Sequence, residues 1–235
     1  MIFPYRGSSY SESIPGLNFI AAKDGTRLAT RFWEVADLSQ KRPLVLYFHG
    51  NAEDLGHLDA VAQRLGQLGF PVLAMDYRGY GLSGGTVSEA NCYADAQVLL
   101  NEATRLGYQS ENLLLWGRSV GSGTAVQVAT TGDFYGLVLD SPFVSAFRVA
   151  TKIPILPFDK FPNLKRMPEI TEPFFILHGA QDTLIPPWHS EKLYQAHPGP
   201  KKRLLVEGAG HNDLWSHLTD ELLQLTKFFE TCERQ

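Results

Sequence analysis

The sequence has few cysteines, no excess of positive charge and no long apolar run. Its 235 residues include two cysteines, Cys92 and Cys232, which lie far apart and match no metal-ligand spacing. So few thiols in a chain of this length exclude a disulfide framework and indicate a reducing compartment. The formal net charge of −4 argues against nucleic-acid binding, because that function needs a basic surface.

Membrane insertion and secretion are also disfavoured by what the sequence lacks. No stretch approaches the roughly 20 apolar residues that a membrane-spanning helix requires. Residues 1–7 do not show the charged and then apolar segments of a signal peptide. We therefore expect a cytoplasmic protein with no transmembrane segment.

The apolar residues alternate between short continuous runs and longer amphipathic stretches, as in a parallel sheet covered by helices. An Asp-Gly pair within residues 23–26 predicts a hairpin turn between two opening strands. Further strands are predicted at 44–48, 72–75, 113–116, 137–139, 174–177 and 203–206, and helices at 54–68, 88–106, 120–130, 188–196 and 213–230. The predicted fold class is α/β, with a mostly parallel central sheet, an N-terminal antiparallel hairpin and helices on both faces.

One stretch, residues 145–171, interrupts this alternation. It holds four prolines, too many for an uninterrupted helix, and it is long for a simple connection. We predict a short lid inserted into a single domain of residues 1–235. An apolar acyl-binding site is predicted from side chains in or beside the lid, with ordinary core packing as the equal alternative; these are Phe143, Phe147, Ile155, Leu156 and Phe158.

A serine lies in a strand–turn–helix context that is typical of catalytic nucleophiles. An apolar strand leads into the turn Gly117-Arg-Ser119-Val-Gly121, and a helix follows. Glycines two residues before and after the serine let the backbone turn sharply, and the helix N-terminus favours developing negative charge. We interpret Ser119 as the nucleophile rather than as a structural turn serine.

A serine hydroxyl needs a base that is oriented by an acid, and on such a turn the chain order is Ser, acid, His. Asp182 follows a predicted strand, and His211 lies in a glycine-rich loop after the last strand. Both positions are at the carboxyl edge of the sheet, where ligands bind in open α/β folds. Asp140 also follows a strand and is the alternative acid. Asp76 precedes the serine and is expected to order its own loop through hydrogen bonds.

The other histidines are interpreted structurally. Four fall on predicted helices or their ends, where we expect exposed positions: His57, His189, His197 and His217. His178 is expected to hydrogen-bond the backbone near the acid loop. His49 is expected to brace the loop after strand 44–48.

The tetrahedral intermediate of acyl transfer needs two N–H donors for its oxyanion. One is expected from the residue after the nucleophile, Val120, and the other from the loop that begins at His49. We assign the second donor to Asn51, with Ala52 as the alternative if the turn is shifted.

Together these residues resemble the α/β-hydrolase superfamily. Residues 48–52, 76–83, 140–143, 158–162 and 207–213 are similar to one branch, the serine hydrolases that include α/β-hydrolase-domain protein depalmitoylases and their bacterial relatives. The resemblance spans about residues 44–214. It implies an α/β-hydrolase fold and an enzyme that hydrolyses acyl esters or thioesters. Animal depalmitoylases of this branch carry an acylated, cysteine-rich N-terminus, whereas residues 1–13 here hold no cysteine. Anchoring by that route is therefore not implied.

The expected reaction is acyl ester or thioester hydrolysis by Ser119, His211 and Asp182 through an acyl-enzyme, with no metal or other cofactor. The expected partner is a small-molecule or acylated substrate, and the oligomeric state stays open. Peptide or C–C bond hydrolysis by the same triad is the alternative. A non-catalytic binding protein on a hydrolase scaffold is the alternative from another class.

Overall fold

The computed structural model describes residues 7–35, 42–51, 53–146 and 160–232. The chain divides into two units, residues 1–114 and 115–235. No helix in these described ranges is both long and apolar enough to cross a membrane.

The first unit is built on four strands. They are β1 (Leu17–Ala21), β2 (Arg27–Trp33), β3 (Leu44–Phe48) and β4 (Val72–Met75). They lie in the order β1-β2-β4-β3, in which β1 and β2 form an antiparallel hairpin, β2 pairs antiparallel with β4, and β3 pairs parallel with β4. The hairpin turns at the predicted Asp-Gly pair, where Gly25 has a φ of 81°.

Two helices belong to the same unit, α1 (Asp59–Gln67) and α2 (Glu89–Arg105). The helix predicted over 54–68 begins instead with a 3-10 turn, Leu55–His57, because the Asp54 carboxylate caps that turn by accepting from Gly56 N–H. Asp76, at the end of β4, accepts hydrogen bonds from Leu55 N–H (2.9 Å) and from the Tyr10 hydroxyl. The expected loop-ordering role of Asp76 is thereby confirmed.

The second unit continues the strand–helix alternation from β5 (Leu113–Arg118), within which the boundary between the units falls. Its other strands are β6 (Gly136–Asp140), β7 (Phe174–Gly179) and β8 (Lys201–Val206), in the order β5-β6-β7-β8, with β6–β7 and β7–β8 parallel. The helices are α3 (Gly121–Ala129), α4 (Asn163–Arg166), α5 (Trp188–Ala196), α6 (Leu214–His217) and α7 (Glu221–Cys232).

The inner strands are buried along their whole length, as continuous apolar runs predict for strands covered on both sides. Every residue of β3, β4, β6 and β7 is buried. The α/β class, the parallel strand pairs and the N-terminal antiparallel hairpin are therefore confirmed.

Three local predictions were wrong. The helix predicted over 213–230 is two helices, α6 and α7, since Leu218 adopts an extended backbone and Glu221 accepts from Thr219 N–H. His189 and His197 were expected to be exposed, yet each is only 1% exposed. His189 Nδ1 accepts from Val144 N–H, and the His197 ring packs on Phe174 at 4.9 Å.

Candidate active site

Ser119 follows β5 directly and has a φ of 49°, in the left-handed region that non-glycine residues rarely adopt. A Cβ added at Gly117 would lie 2.6 Å from Gly121 O and 2.7 Å from the Ala125 Cβ, so only glycine allows the turn to close here. Ser119 N–H donates to Asp140 O at 2.9 Å. The turn therefore holds the serine in a strained backbone conformation between β5 and α3.

The three predicted triad residues come together within the second unit. His211 Nε2 lies 3.0 Å from Ser119 Oγ, and His211 Nδ1 lies 2.8 Å from Asp182 Oδ2. The rival acid, Asp140, instead accepts from the Trp215 indole N–H at 2.7 Å through its Oδ2. Among the two candidate acids, Asp182 is the one that hydrogen-bonds the His211 ring in this structure.

Asp182 is 3% exposed and held by several donors. Its Oδ1 accepts from Leu184 N–H (3.0 Å) and Ile185 N–H (2.7 Å). Burial raises the pKa of Asp182, but hydrogen bonds from His178, His211 and Ile185 outweigh it and hold that pKa well below its usual range. This holds the Asp182 side chain in its charged carboxylate form.

His178 has the backbone role that was expected of it. Its Nε2 donates to Ile185 O at 2.7 Å and lies 3.4 Å from Asp182 Oδ2. The ring is fully buried. It therefore fixes the acid loop from the end of β7, and this expectation is confirmed.

The His211 loop rests closely on the end of β7. A Cβ at Gly179 would lie 2.6 Å from Gly210 O, so glycine is needed there for the loop to approach. Gln181 N–H donates to Ala209 O at 2.9 Å, and Gly210 N–H donates to Asp213 Oδ1 at 2.7 Å. These bonds join the loop that carries the acid to the loop that carries the histidine.

The two predicted oxyanion donors belong to different units, so each is described by itself. Val120 immediately precedes α3, whose N-terminal end favours negative charge. Asn51 is half-buried, and its Oδ1 accepts from the Tyr80 hydroxyl at 2.6 Å. His49 is fully buried with Nδ1 2.8 Å from Gly50 O, which confirms that it braces this loop. The oxyanion role of Asn51 and Val120 stays a prediction, and the alternative Ala52 lies outside the described residues.

Of the five predicted acyl-site residues, Phe143 is the one that lies in the described part of the chain. Phe147, Ile155, Leu156 and Phe158 lie outside the described residues. Phe143 is 3% exposed, and its ring packs edge-on against Phe161 at 6.4 Å between centroids. Its predicted contact with an acyl group stays a prediction.

Sequence reasoning missed the polar contacts that support the serine turn. Ser122 Oγ donates to Ser119 O at 2.6 Å and accepts from Asn163 Nδ2 at 3.3 Å. Asn163 also donates to Phe143 O at 2.9 Å. No spacing along the chain relates residue 163 to residue 122, since only the tertiary fold brings them together.

The described parts of the chain contain no group of three or more His, Cys, Asp or Glu side chains that could hold a metal ion. Cys92 is buried, and burial raises the pKa of its thiol to about 12. The polar side chains that this site brings into contact are those of Ser119, His211 and Asp182.

Residues 39–160 match the hydrolase family described as serine aminopeptidase, S33. The human alpha/beta hydrolase domain-containing protein 17B is 36% identical over 214 residues, which are 89% of this chain and 73% of that protein. The chain belongs to this α/β-hydrolase family. Two solved structures share the fold of this α/β-hydrolase, and at their low identities they establish the fold alone.

One is the Pyrococcus furiosus esterase Pf2001, with a TM-score of 0.77, 19% identity and coverage of 97% of this chain and 98% of that one. The other is Est1E from Butyrivibrio proteoclasticus with bound ferulic acid, with a TM-score of 0.72, 20% identity and coverage of 93% and 98%. The predicted α/β-hydrolase fold is confirmed.

Proposed function

We propose that this α/β-hydrolase is a serine hydrolase that cleaves acyl ester or thioester bonds. The observation that carries the proposal is the His211 ring, which joins Ser119 Oγ (3.0 Å) to Asp182 Oδ2 (2.8 Å). A nucleophile, a base and an orienting acid in this geometry are what acyl transfer requires. The strained serine turn is a second support, because strain of this kind persists where the surrounding structure enforces it.

In the proposed mechanism, His211 Nε2 takes the Ser119 hydroxyl proton as Oγ attacks the acyl carbonyl carbon. Asp182 accepts a hydrogen bond from His211 Nδ1–H. It thereby fixes the tautomer of the ring and stabilises the imidazolium. Collapse of the tetrahedral intermediate breaks the bond to the alcohol or thiol, which takes its proton from His211. A water molecule, deprotonated by the same ring, then attacks the acyl-enzyme. Collapse of this second intermediate releases the acid, and Ser119 Oγ takes the proton back from His211.

The oxyanion of both tetrahedral intermediates is assigned to the backbone N–H groups of Val120 and Asn51. Val120 is supported by its place before α3, where the helix dipole favours negative charge. Asn51 is supported by its position in the loop that His49 braces after β3. Neither role requires a metal.

An apolar acyl group is the proposed substrate class. The solved relatives include proteins whose own names call them esterases, and the proline-interrupted stretch 145–171 supplies apolar side chains. If it lines the acyl site, each buried methylene contributes about 0.8 kcal/mol, or about fourfold in kcat/KM. A flat dependence on chain length would indicate a small or polar acyl group instead.

Peptide hydrolysis is the second candidate, because the matching family is described as serine aminopeptidase. The same triad would attack an amide carbonyl and protonate an amine. We further propose a cytoplasmic, reducing location, which is supported by the two free cysteines, Cys92 and Cys232.

The test compares acyl p-nitrophenyl esters, acyl thioesters and aminoacyl amides of graded chain length, with Ser119→Ala as the control. Ester and thioester turnover that rises with chain length and falls about 10⁴-fold in Ser119→Ala supports the proposal. Turnover of the amides alone would favour the peptidase. Turnover that survives in Ser119→Ala would contradict both.

A further inference from the structure

Asp140 is a fully buried carboxylate at the end of β6 that the proposed triad does not use. Its Oδ2 accepts from the Trp215 indole N–H at 2.7 Å and lies 3.7 Å from Arg118 Nε. Its Oδ1 has no hydrogen-bond partner among the described residues. Burying a carboxyl group costs free energy unless its oxygens are well paired, and for Oδ2 the pairing comes from Trp215 and Arg118.

Asp140 contacts both the turn that carries Ser119 and the segment that follows His211. Its backbone carbonyl accepts from Ser119 N–H at 2.9 Å, next to the strained serine. Its carboxylate holds Trp215, which lies on α6 four residues after His211. Asp140 therefore connects the serine turn to the histidine loop.

Arg118 adds a second connection of the same kind. It immediately precedes the serine, its Nη2 donates to His211 O at 3.3 Å, and its Nε faces the Asp140 carboxylate. The Trp215 ring also packs beside Trp116 of β5, with 5.6 Å between centroids. Backbone and side-chain contacts thus fix the histidine loop to the strand that carries the nucleophile.

We propose that Asp140 is a positioning residue, which holds the His211 loop against the Ser119 turn through Trp215 and Arg118. This inference rests on the proposed function and adds Asp140, Trp215 and Arg118 as residues that position its triad. Asp140 does not act as a spare acid in this geometry, because its Oδ2 is committed to the indole and His211 Nδ1 already bonds Asp182.

The variant Trp215→Phe separates the hydrogen bond from the packing, since phenylalanine keeps an aromatic ring beside Trp116 and removes the N–H. The matched control is Trp188→Phe, because Trp188 is 39% exposed on α5 and its ring stacks on His189. The readouts are the second-order rate of Ser119 labelling by a fluorophosphonate probe, and kcat and KM on an activated ester. Each is measured at a temperature well below the thermal unfolding midpoint of the variant, so that differences in stability do not affect the measured rates.

Trp215→Phe is expected to lower the labelling rate and kcat about tenfold with KM within about twofold of the parent, because a small displacement of the base weakens the attack. Asp140→Asn keeps an acceptor for the indole, so its fall is expected to be smaller, about threefold. The double variant should fall by less than the product of the two single effects, since both changes weaken the same Asp140–Trp215 hydrogen bond.

A labelling rate of Trp215→Phe within twofold of Trp188→Phe would overturn the proposal, and so would a fall in Asp140→Asn as deep as that of Asp182→Asn. Labelling measures the reactivity of Ser119 as activated by His211, and it needs no natural substrate. If the parent labels at Ser119 but cleaves no ester or thioester, the acyl-hydrolase proposal fails while the variant labelling rates still decide the role of Asp140. If the parent does not label at Ser119, both are overturned.

Discussion

Asp182→Asn is the substitution that probes the proposed triad most specifically, because the hydrogen bonds around Asp182 determine the orientation of an amide at this position. Asp182 Oδ1 accepts from Leu184 and Ile185 N–H, while Oδ2 faces His211 Nδ1. An asparagine keeps its oxygen on the two backbone donors, because the reverse orientation would point its NH2 group at both of them. The NH2 group is therefore turned toward His211.

That orientation inverts the tautomer of the histidine. An amide donor facing Nδ1 requires Nδ1 to accept, which moves the ring proton to Nε2, 3.0 Å from Ser119 Oγ. The ring can then no longer take the hydroxyl proton. We expect kcat to fall about 10⁴-fold, or about 5.4 kcal/mol in the activation free energy, with a folded protein and little change in KM.

The assay is steady-state turnover of an activated ester, with Asp140→Asn measured in parallel. Asp140→Asn should cost far less, since the carboxylate of Asp140 bonds Trp215 and not His211. If Asp182→Asn retains a tenth of the parent's kcat, or if Asp140→Asn is the slower of the two, the acid has been assigned to the wrong residue.

Three further predictions concern stability. Ser119→Gly should raise the free energy of unfolding in urea by about 1 kcal/mol, because glycine adopts the φ of 49° without strain; an unchanged or lower value would refute the strain argument. Gly123→Ala should destabilise by about 1–3 kcal/mol, since its Cβ would lie 2.6 Å from Phe161 Cγ. Gly132→Ala, whose nearest contact is 3.9 Å away, should change stability by less than about 0.5 kcal/mol, and equal effects of the two would exclude the clash. Burial lowers the pKa of His197 to about 4. As the pH falls below about 6.5, His197 therefore takes up a proton in the unfolded chain before it does so in the folded one. The folded protein loses stability over this range, down to about pH 4. Between pH 7 and 4.5 the parent should therefore lose about 2 kcal/mol more than His197→Asn, and parallel losses would contradict this.

The sequence could predict the elements whose signal is local. The Asp-Gly turn, the continuous apolar runs of β3, β4 and β7, and the glycines around Ser119 each act on their own neighbours, so their structures follow from short segments. The division of the last helix was missed because the apolar periodicity continues through Leu218, where the backbone becomes extended.

The sequence favoured Asp182 as the acid but left Asp140 as an alternative, because both residues follow strands at the same sheet edge. What distinguishes them is tertiary, since the loop of Asp182 supplies two N–H donors and faces His211, whereas Asp140 faces Trp215. The burial of His197 was missed for the same reason, as its partner Phe174 is distant in the chain.

The central claim is that Ser119 is a nucleophile activated by His211. The most direct measurement is incubation of the protein with a fluorophosphonate probe, followed by proteolysis and mass spectrometry of the labelled peptide. The account predicts one adduct on Ser119 that is absent in Ser119→Ala and strongly slowed in Asp182→Asn. A folded protein that takes up no probe, or takes it up on another residue, would contradict the account.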